Sequence, residues 1–231
     1  MLKFDDSHVN LLIKFPTRSR PLKFKEQFSR CYKMLSKSIT YRFIISMDTN
    51  DSTMNNNKTK YWLSEFNNGQ QNVHYYYGNS KNKVQAINSD MQYYKNWDIC
   101  LLMSDDMTPC QNGYDKIIYD DMIKFYPNLD GVLHYNDGRV GSKLNTLSIM
   151  WKKMYDHFGY IYHPAYTSLW CDNEFHEVTT TMGKSTYIDN CIIKHEWVNF
   201  TGKDALHCRN ESFYSHDKKI FEKRKSQGFP K

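Results

Sequence analysis

Between Asn10 and Met103 the chain alternates short apolar runs with stretches whose apolar residues recur at helical spacing. This alternation limits the fold more than any other feature of the sequence. Asn10–Phe15 is a strand-length apolar run closed by Pro16. After Pro21, the residues Phe24, Phe28, Cys31, Tyr32 and Leu35 fall on one helical face. Tyr41–Met47 is a second strand, ending at Asp48, and the polar stretch 49–57 is a loop. Trp62, Leu63 and Phe66 mark a short helix, and Val73–Tyr77 a third strand closed by Gly78. Val84, Ile87, Met91 and Tyr94 are expected on one face of a single helix. Ile99–Met103 is a fourth, wholly apolar strand running into Ser104-Asp105-Asp106. Such an order predicts an α/β domain with a mostly parallel central sheet covered on both faces. In these sheets ligands bind beyond the carboxyl ends of the strands, where Asp48, the loop 78–83 and Asp105-Asp106 all fall.

The second half is less regular. A helix containing Ile117, Ile118, Met122 and Ile123 ends before Pro127, and Gly131–Tyr135 reads as a strand. Asn136–Asn145, with Asp137-Gly138 and Gly141, is expected to be a turn or a mobile loop able to close over a ligand. Trp151–Phe158 and Asn173–Met182 read as helices, and Tyr187–Lys194 as one strand ending at His195. Ser215–Lys225 is expected to be a basic helix with Ser215 as its N-cap. There is no internal repeat and no linker composition, so one domain is expected over 1–231.

Composition adds limits on function. Apolar residues are 40% of the 231, enough for a real core, and 18 Tyr and 13 Phe predict an aromatic one. The formal charge of +6 suits an anionic ligand, whether nucleic acid, membrane surface or nucleotide diphosphate. The six cysteines form no CxxC pair, which argues against a zinc site. The opening MLKFDDSHVN has no apolar stretch resembling a signal peptide, and no window is long enough for a transmembrane helix. Reduced cysteines and unused sequons at Asn50, Asn199 and Asn210, in a cytoplasmic protein, are therefore expected. The abundance of Asn, Lys, Ile and Tyr is a compositional hint of an AT-rich, viral or phage genome.

Three segments carry chemistry. In WDICLLMSDDM, Asp105 and Asp106 follow a buried strand. Adjacent acids repel there unless a cation or hydrogen bonds compensate, and Mg²⁺ or Mn²⁺ suits hard oxygen ligands. An Asp-capped turn is the plainer reading of the same residues. In GNSKNKVQAIN, a glycine turn leads into a helix flanked by Lys81 and Lys83, a place for phosphates or simply a solvated basic turn. It lacks the spacing of a Walker A loop. In FPTRSRP, Arg18 and Arg20 lie between two prolines at the end of the first strand, where a guanidinium can meet a base or diphosphate.

Taken in order, these segments resemble those of GT-A glycosyltransferases, particularly the inverting family-2-like group and its short viral and bacterial relatives. PTRSRP resembles the opening motif of that group. Asp48 in ISMDTND resembles its nucleoside-contacting acid, and GNSKNKVQAIN its donor-binding segment. SDDM resembles the DxD motif, with Ser104 standing where the first Asp would be. The resemblance implies donor contacts from Thr17, Arg18, Arg20, Asp48, Lys81, Lys83, Asn88, Asp105 and Asp106. It implies a Mn²⁺ or Mg²⁺ ion on Asp106 and on His195 of KHEWVN. WCDNEF resembles the segment supplying the catalytic base of inverting members, with Asp172 the first choice and Glu174 the second. Residues 1–107 would then bind the nucleotide sugar, with UDP the expected nucleotide, and 108–231 the carbohydrate or other hydroxyl-bearing acceptor. No nucleic-acid partner is expected, because SDD at a strand end repels phosphates that arrive without a metal. A retaining GT-A enzyme, a sugar-phosphate nucleotidyltransferase and a basic nucleic-acid-binding protein are the alternatives. FPTRSRP lacks the Gly-rich turn usual in nucleotidyltransferases.

Overall fold

The strands that periodicity predicts between Asn10 and Met103 all form. In the computed structural model, which describes residues 7–67, 72–196 and 204–230, they are β1 (Val9–Pro16), β2 (Tyr41–Asp48), β3 (Val73–Gly78) and β4 (Trp97–Leu102). They pair in parallel in the order β3-β2-β1-β4. Alternate side chains feed two cores. Leu11, Ile13, Phe15, Phe43, Ile45 and Leu101 face helices α1 (Pro21–Lys33), α2 (Asn57–Ser64) and α4 (Tyr114–Phe125). Leu12, Ile44, Cys100 and Leu102 face α3 (Lys83–Asn88), α5 (Lys152–Phe158) and α6 (Cys171–Thr181). A sheet covered on both sides explains strands that are apolar at nearly every position.

The first core is aromatic, as composition implies. Phe28 is fully buried, its ring 4.9 Å from Phe43, 5.6 Å from Trp62 and 5.0 Å from Phe66, all edge-to-face. Each such pair adds roughly 0.5–1.5 kcal/mol beyond area burial.

The helix expected through Val84, Ile87, Met91 and Tyr94 is broken. All four residues are buried in one core, yet α3 stops at Asn88, Ser89 is extended and Asp90 is left-handed with φ 66°. The cause is Lys14, wholly buried in the middle of β1. Its Nζ donates to Ser46 Oγ and, at 2.6 Å, to the Ser89 carbonyl, while Ser46 Oγ donates to the Asp90 carboxylate. A buried ammonium needs acceptors, and the chain leaves the helix to provide them.

The second half adds β6 (Val132–Tyr135), β7 (Ile149–Trp151) and β8 (Ser185–Ile188), completing the order β3-β2-β1-β4-β7-β6-β8. β7 is antiparallel to both neighbours and β8 is parallel to β6. The single strand expected over Tyr187–Lys194 is two. β8 ends at Ile188, and β9 (Ile193–His195) leaves the sheet to pair with β5 (Met107–Pro109) in a separate antiparallel ribbon. β5, β7 and helix α7 (Ala205–Glu211) carry no periodicity long enough to announce them. In α8 (Tyr214–Ser226) the cap position is Phe213, so Ser215 lies inside the helix and does not cap it. The expected sequon at Asn199 and the end of KHEWVN lie outside the described residues. Among the described residues no helix is long and apolar enough to cross a membrane.

Candidate active site

Parallel pairing puts the carboxyl ends of β1, β2, β3 and β4 at one edge, and a crevice of about 110 Å³ opens there. Its floor is Pro16-Thr17-Arg18 after β1, Asp48 after β2, and Ser104-Asp105-Asp106 after β4. Thr17 is buried, and its hydroxyl has no hydrogen-bond partner among the described residues. Leaving a buried hydroxyl unpaired is costly, which suits a position where a ligand completes the bond.

The cations that line the crevice are partly committed to protein carboxylates. Arg18 donates to Asp48 Oδ2, whose Oδ1 accepts from the Ser80 N–H at 3.1 Å. Arg20 reaches in two directions, to Asp105 Oδ1 at 2.8 Å and as a fork to both oxygens of Asp204 at 2.6 and 2.8 Å. That fork holds the Asp204 carboxyl down at about 2. Lys83 stands exposed at the crevice wall.

The two adjacent acids are compensated separately. Asp105 is buried, and desolvation with the neighbouring Asp106 pushes its carboxyl up against the pull of Arg20. Burial also works against the charge on Asp106. The facing His195, together with Lys83 and the Ser104 hydroxyl, outweighs it and holds that carboxyl well below the usual range. His195 Nε2 lies 3.7 Å from Asp106 Oδ2. The ribbon sets this approach: Met107 pairs with His195, and the Glu196 N–H donates to the Asp106 carbonyl at 2.7 Å. Among the described residues no cluster of three or more His, Cys, Asp or Glu side chains forms a ready metal cage.

Other residues singled out in the sequence are placed elsewhere. Lys81 is exposed beside the crevice and offers its carbonyl to Arg209 at 3.2 Å. Asn88 is not brought to the crevice. Its side chain accepts from the Ile161 and Tyr162 N–H groups and donates to the Tyr162 carbonyl, tying that loop to α3. Glu174 is withdrawn into the second core, where it accepts from Arg224 at 2.7 and 2.8 Å and from the Tyr166 hydroxyl at 2.7 Å. Asp172 stays part-buried in the first turn of α6, its Oδ1 accepting from the Asn173 N–H. The turn into α6 is held by Asp217, fully buried on α8. Its carboxylate accepts from the N–H groups of Thr167, Ser168 and Leu169 at 3.1, 2.7 and 2.8 Å. Thr167 itself lines the crevice. The loop expected to close over a ligand, 136–145, is pinned instead. Asp137 is buried and accepts from the N–H groups of Arg139, Val140 and Gly141 and from the Thr146 hydroxyl.

The outer wall was not anticipated. Leu206, Arg209, Asn210 and Phe213, on α7 and just beyond it, line the crevice together with Ala86 of α3. Asp204 starts α7 as a true cap, accepting from the His207 N–H at 2.8 Å. An Asp ahead of Ala-Leu-His was the available signal. Nothing local in the sequence says that Asp204 meets Arg20.

No protein-family model matches the chain, and no curated protein matches it. Solved structures do. A mannosyltransferase from Pyrobaculum calidifontis, PcManGT, in complex with GDP-Man and Mn²⁺, aligns with TM-score 0.57 at 9% identity. The match covers 83% of this chain and 59% of that one. S. aureus TarS 1–349, in complex with UDP-GlcNAc, aligns with TM-score 0.58 at 12% identity over 85% and 62%. A 4-diphosphocytidyl-2C-methyl-D-erythritol synthase from Anaerococcus prevotii aligns with TM-score 0.54 at 9% identity over 78% and 87%. The chain thus spans about three fifths of the two glycosyltransferase chains. What is shared at such identities is architecture: the chain has the GT-A-type, Rossmann-like α/β fold, a mostly parallel seven-stranded sheet flanked by helices.

Proposed function

We propose that this protein is a metal-dependent glycosyltransferase that moves a sugar from a nucleotide-diphosphate sugar, with UDP the expected nucleotide, to an acceptor hydroxyl. The reading rests on one observation: PTRSRP, Asp48 and SDD, far apart in sequence, meet at one strand edge where Asp106 faces His195. Lys83 is exposed at this edge, and the guanidinium groups of Arg18 and Arg20 suit a diphosphate that takes the place of their carboxylate partners. Residues 1–107 supply most of the donor side. Thr167 and α7, from 108–231, complete its wall.

A carboxylate oxygen facing an imidazole nitrogen is a donor pair that fits Mn²⁺ or Mg²⁺, with the diphosphate and water as the remaining ligands. Asp106 and His195 would hold the ion, which when bound neutralises charge on the departing diphosphate. The chain's own contribution is positional. The Thr17 hydroxyl, Arg20 and Lys83 bind and orient the donor, and Asp172 takes the acceptor's proton, giving inversion by one in-line displacement. Glu174 is not assigned this role, because both its oxygens are committed to Arg224 and Tyr166.

A second reading, a sugar-phosphate nucleotidyltransferase, is favoured by the alignment that covers 87% of the synthase chain. The two reactions release different products. A panel of nucleotide sugars with and without Mn²⁺, assayed for nucleoside diphosphate release, should show turnover with a UDP-sugar. Pyrophosphate release from a nucleoside triphosphate and a sugar phosphate, with every nucleotide sugar inert, would replace the proposal by the second reading.

A further inference from the structure

The ribbon that brings His195 to Asp106 ends, on its far side, in two cysteines. Cys110 directly follows β5, and its N–H donates to the Ile192 carbonyl at 2.8 Å. Cys191 immediately precedes Ile192. The two chains run side by side past this point, since Gln111 Nε2 donates to Asn190 Oδ1 at 2.6 Å and to the Cys191 carbonyl at 3.5 Å. The Cys191 thiol interacts with the Cys110 thiol. The β5–β9 register continues to Cys110 opposite Ile192 and Gln111 opposite Cys191, so the two cysteines are diagonal neighbours at the open end, where a bridge needs their Cα atoms roughly 4.4–6.8 Å apart. Cys110 is exposed and Cys191 half-buried, whereas Cys31, Cys100 and Cys171 are buried. Cys208, the other exposed thiol, is on α7.

We propose that Cys110 and Cys191 form a reversible, peroxide-responsive dithiol site that closes to an intramolecular disulfide across the β5–β9 ribbon. The reaction needs a hydroperoxide as oxidant. The exposed Cys110 sulfur attacks the O–O bond and becomes a sulfenic acid, and hydroxide or alkoxide leaves. The Cys191 sulfur then attacks the Cys110 sulfur, the S–S bond forms, the S–O bond breaks, and water departs with the Cys191 proton. Two thiols lose two electrons and two protons to one hydroperoxide, which leaves as water and water or alcohol. The order of events follows from the surroundings. Burial and the neighbouring Cys110 push the Cys191 thiol up to about 11, so Cys191 is the weaker nucleophile and the exposed Cys110 reacts with the peroxide first. The bond would staple the open end of the ribbon. Its other end holds the Met107–His195 pair, so oxidation fixes the element that presents His195 to Asp106.

The site stands whether or not the protein transfers sugars, and so does its test. The full chain is treated with a few equivalents of hydrogen peroxide, alkylated, digested without reductant and read by mass spectrometry. A peptide pair joined through Cys110 and Cys191 is expected, with two free thiols lost and both recovered by dithiothreitol. Melting temperature should rise by roughly 5–10 °C, as a bond closing a long loop implies. In Cys191→Ser, Cys110 should be trapped as a sulfenic acid by dimedone, while Cys208→Ser should leave the link intact. Wild-type protein in which both thiols stay open to alkylation would overturn the proposal. So would Cys110 passing directly to sulfinic acid, or joining only a second copy of the chain.

Discussion

Replacing Arg224 with Met tests whether Glu174 belongs to the chemistry or to the core. Arg224 lies on α8 and Glu174 on α6, 50 residues apart, and their side chains are only 12% and 6% exposed. The guanidinium makes two bonds to the carboxylate, at 2.7 and 2.8 Å, and a third to the Pro230 carbonyl at 2.6 Å. Arg224→Met keeps much of the volume but leaves a buried carboxylate with only the Tyr166 hydroxyl. Breaking one side of a buried pair costs about 3–5 kcal/mol, because the remaining charge stays desolvated. For a domain of this size that lowers the melting temperature by roughly 6–20 °C. Glu174→Gln strands the guanidinium instead and sets the amide Nε2 against one of its N–H donors, so it should cost about as much. The double variant should recover much of the loss in Arg224→Met. Urea denaturation followed by far-ultraviolet circular dichroism measures all three. A loss below about 1 kcal/mol in Arg224→Met would refute the energetic argument. A Glu174→Gln protein of unchanged stability whose turnover fell by roughly 10²–10⁴-fold would make Glu174 a catalytic base after all.

Asp172→Asn should lower turnover by roughly 10²–10⁴-fold with little change in UDP affinity; an inverted product anomer from wild type, read by NMR, supports the assignment, and a fully active variant removes it. UDP with Mn²⁺ at a hundred times the dissociation constant should stabilise the protein by about 2.7 kcal/mol, and Asp106→Ala should abolish the part that depends on Mn²⁺; single-stranded nucleic acid stabilising the protein while UDP does not would favour a binding protein. Burial pushes the Lys14 ammonium down to about 8, below its value in the unfolded chain. The unfolded state therefore holds more protons above that pH, and Lys14 should make stability rise by about 1.5 kcal/mol between roughly pH 8 and 9.5; a Lys14→Met protein should lack this rise, and an unchanged slope would contradict the burial of the charge.

Much of the crevice edge was legible in the chain itself, because its signals are local. Phe24, Phe28 and Cys31 repeat at helical spacing, and Ile99–Met103 is apolar throughout, so α1 and β4 follow from pattern alone. Parallel strands put their carboxyl ends together, which is why Asp48, the loop 78–83 and Asp105-Asp106 were expected at one edge, and Asp48, Ser80, Lys83, Asp105 and Asp106 line the crevice there. Where a partner lay far along the chain, pattern failed. Val84, Ile87, Met91 and Tyr94 are periodic and buried, but the acceptors that Lys14 demands break the helix between them. Three-residue strands such as β5, β7 and β9 are too short to show a period, and only their pairing identifies them.

The acids show the same division. Asp105 and Asp106 were recognisable as an unusual pair at a strand end. That Arg20 neutralises one and His195 faces the other is a result of tertiary structure, since those partners come from 85 residues away and from β9. Glu174 and Asp172 look alike in WCDNEF. Their separation was decided by α8, which offers Arg224 to one and, through Asp217, fixes the turn that positions the other. Periodicity records which face of an element is buried, and so the sequence by itself determined the four parallel strands and the edge at which their loops meet. Ion pairs and caps depend on which charged groups meet across the fold, and only the packed chain settles that.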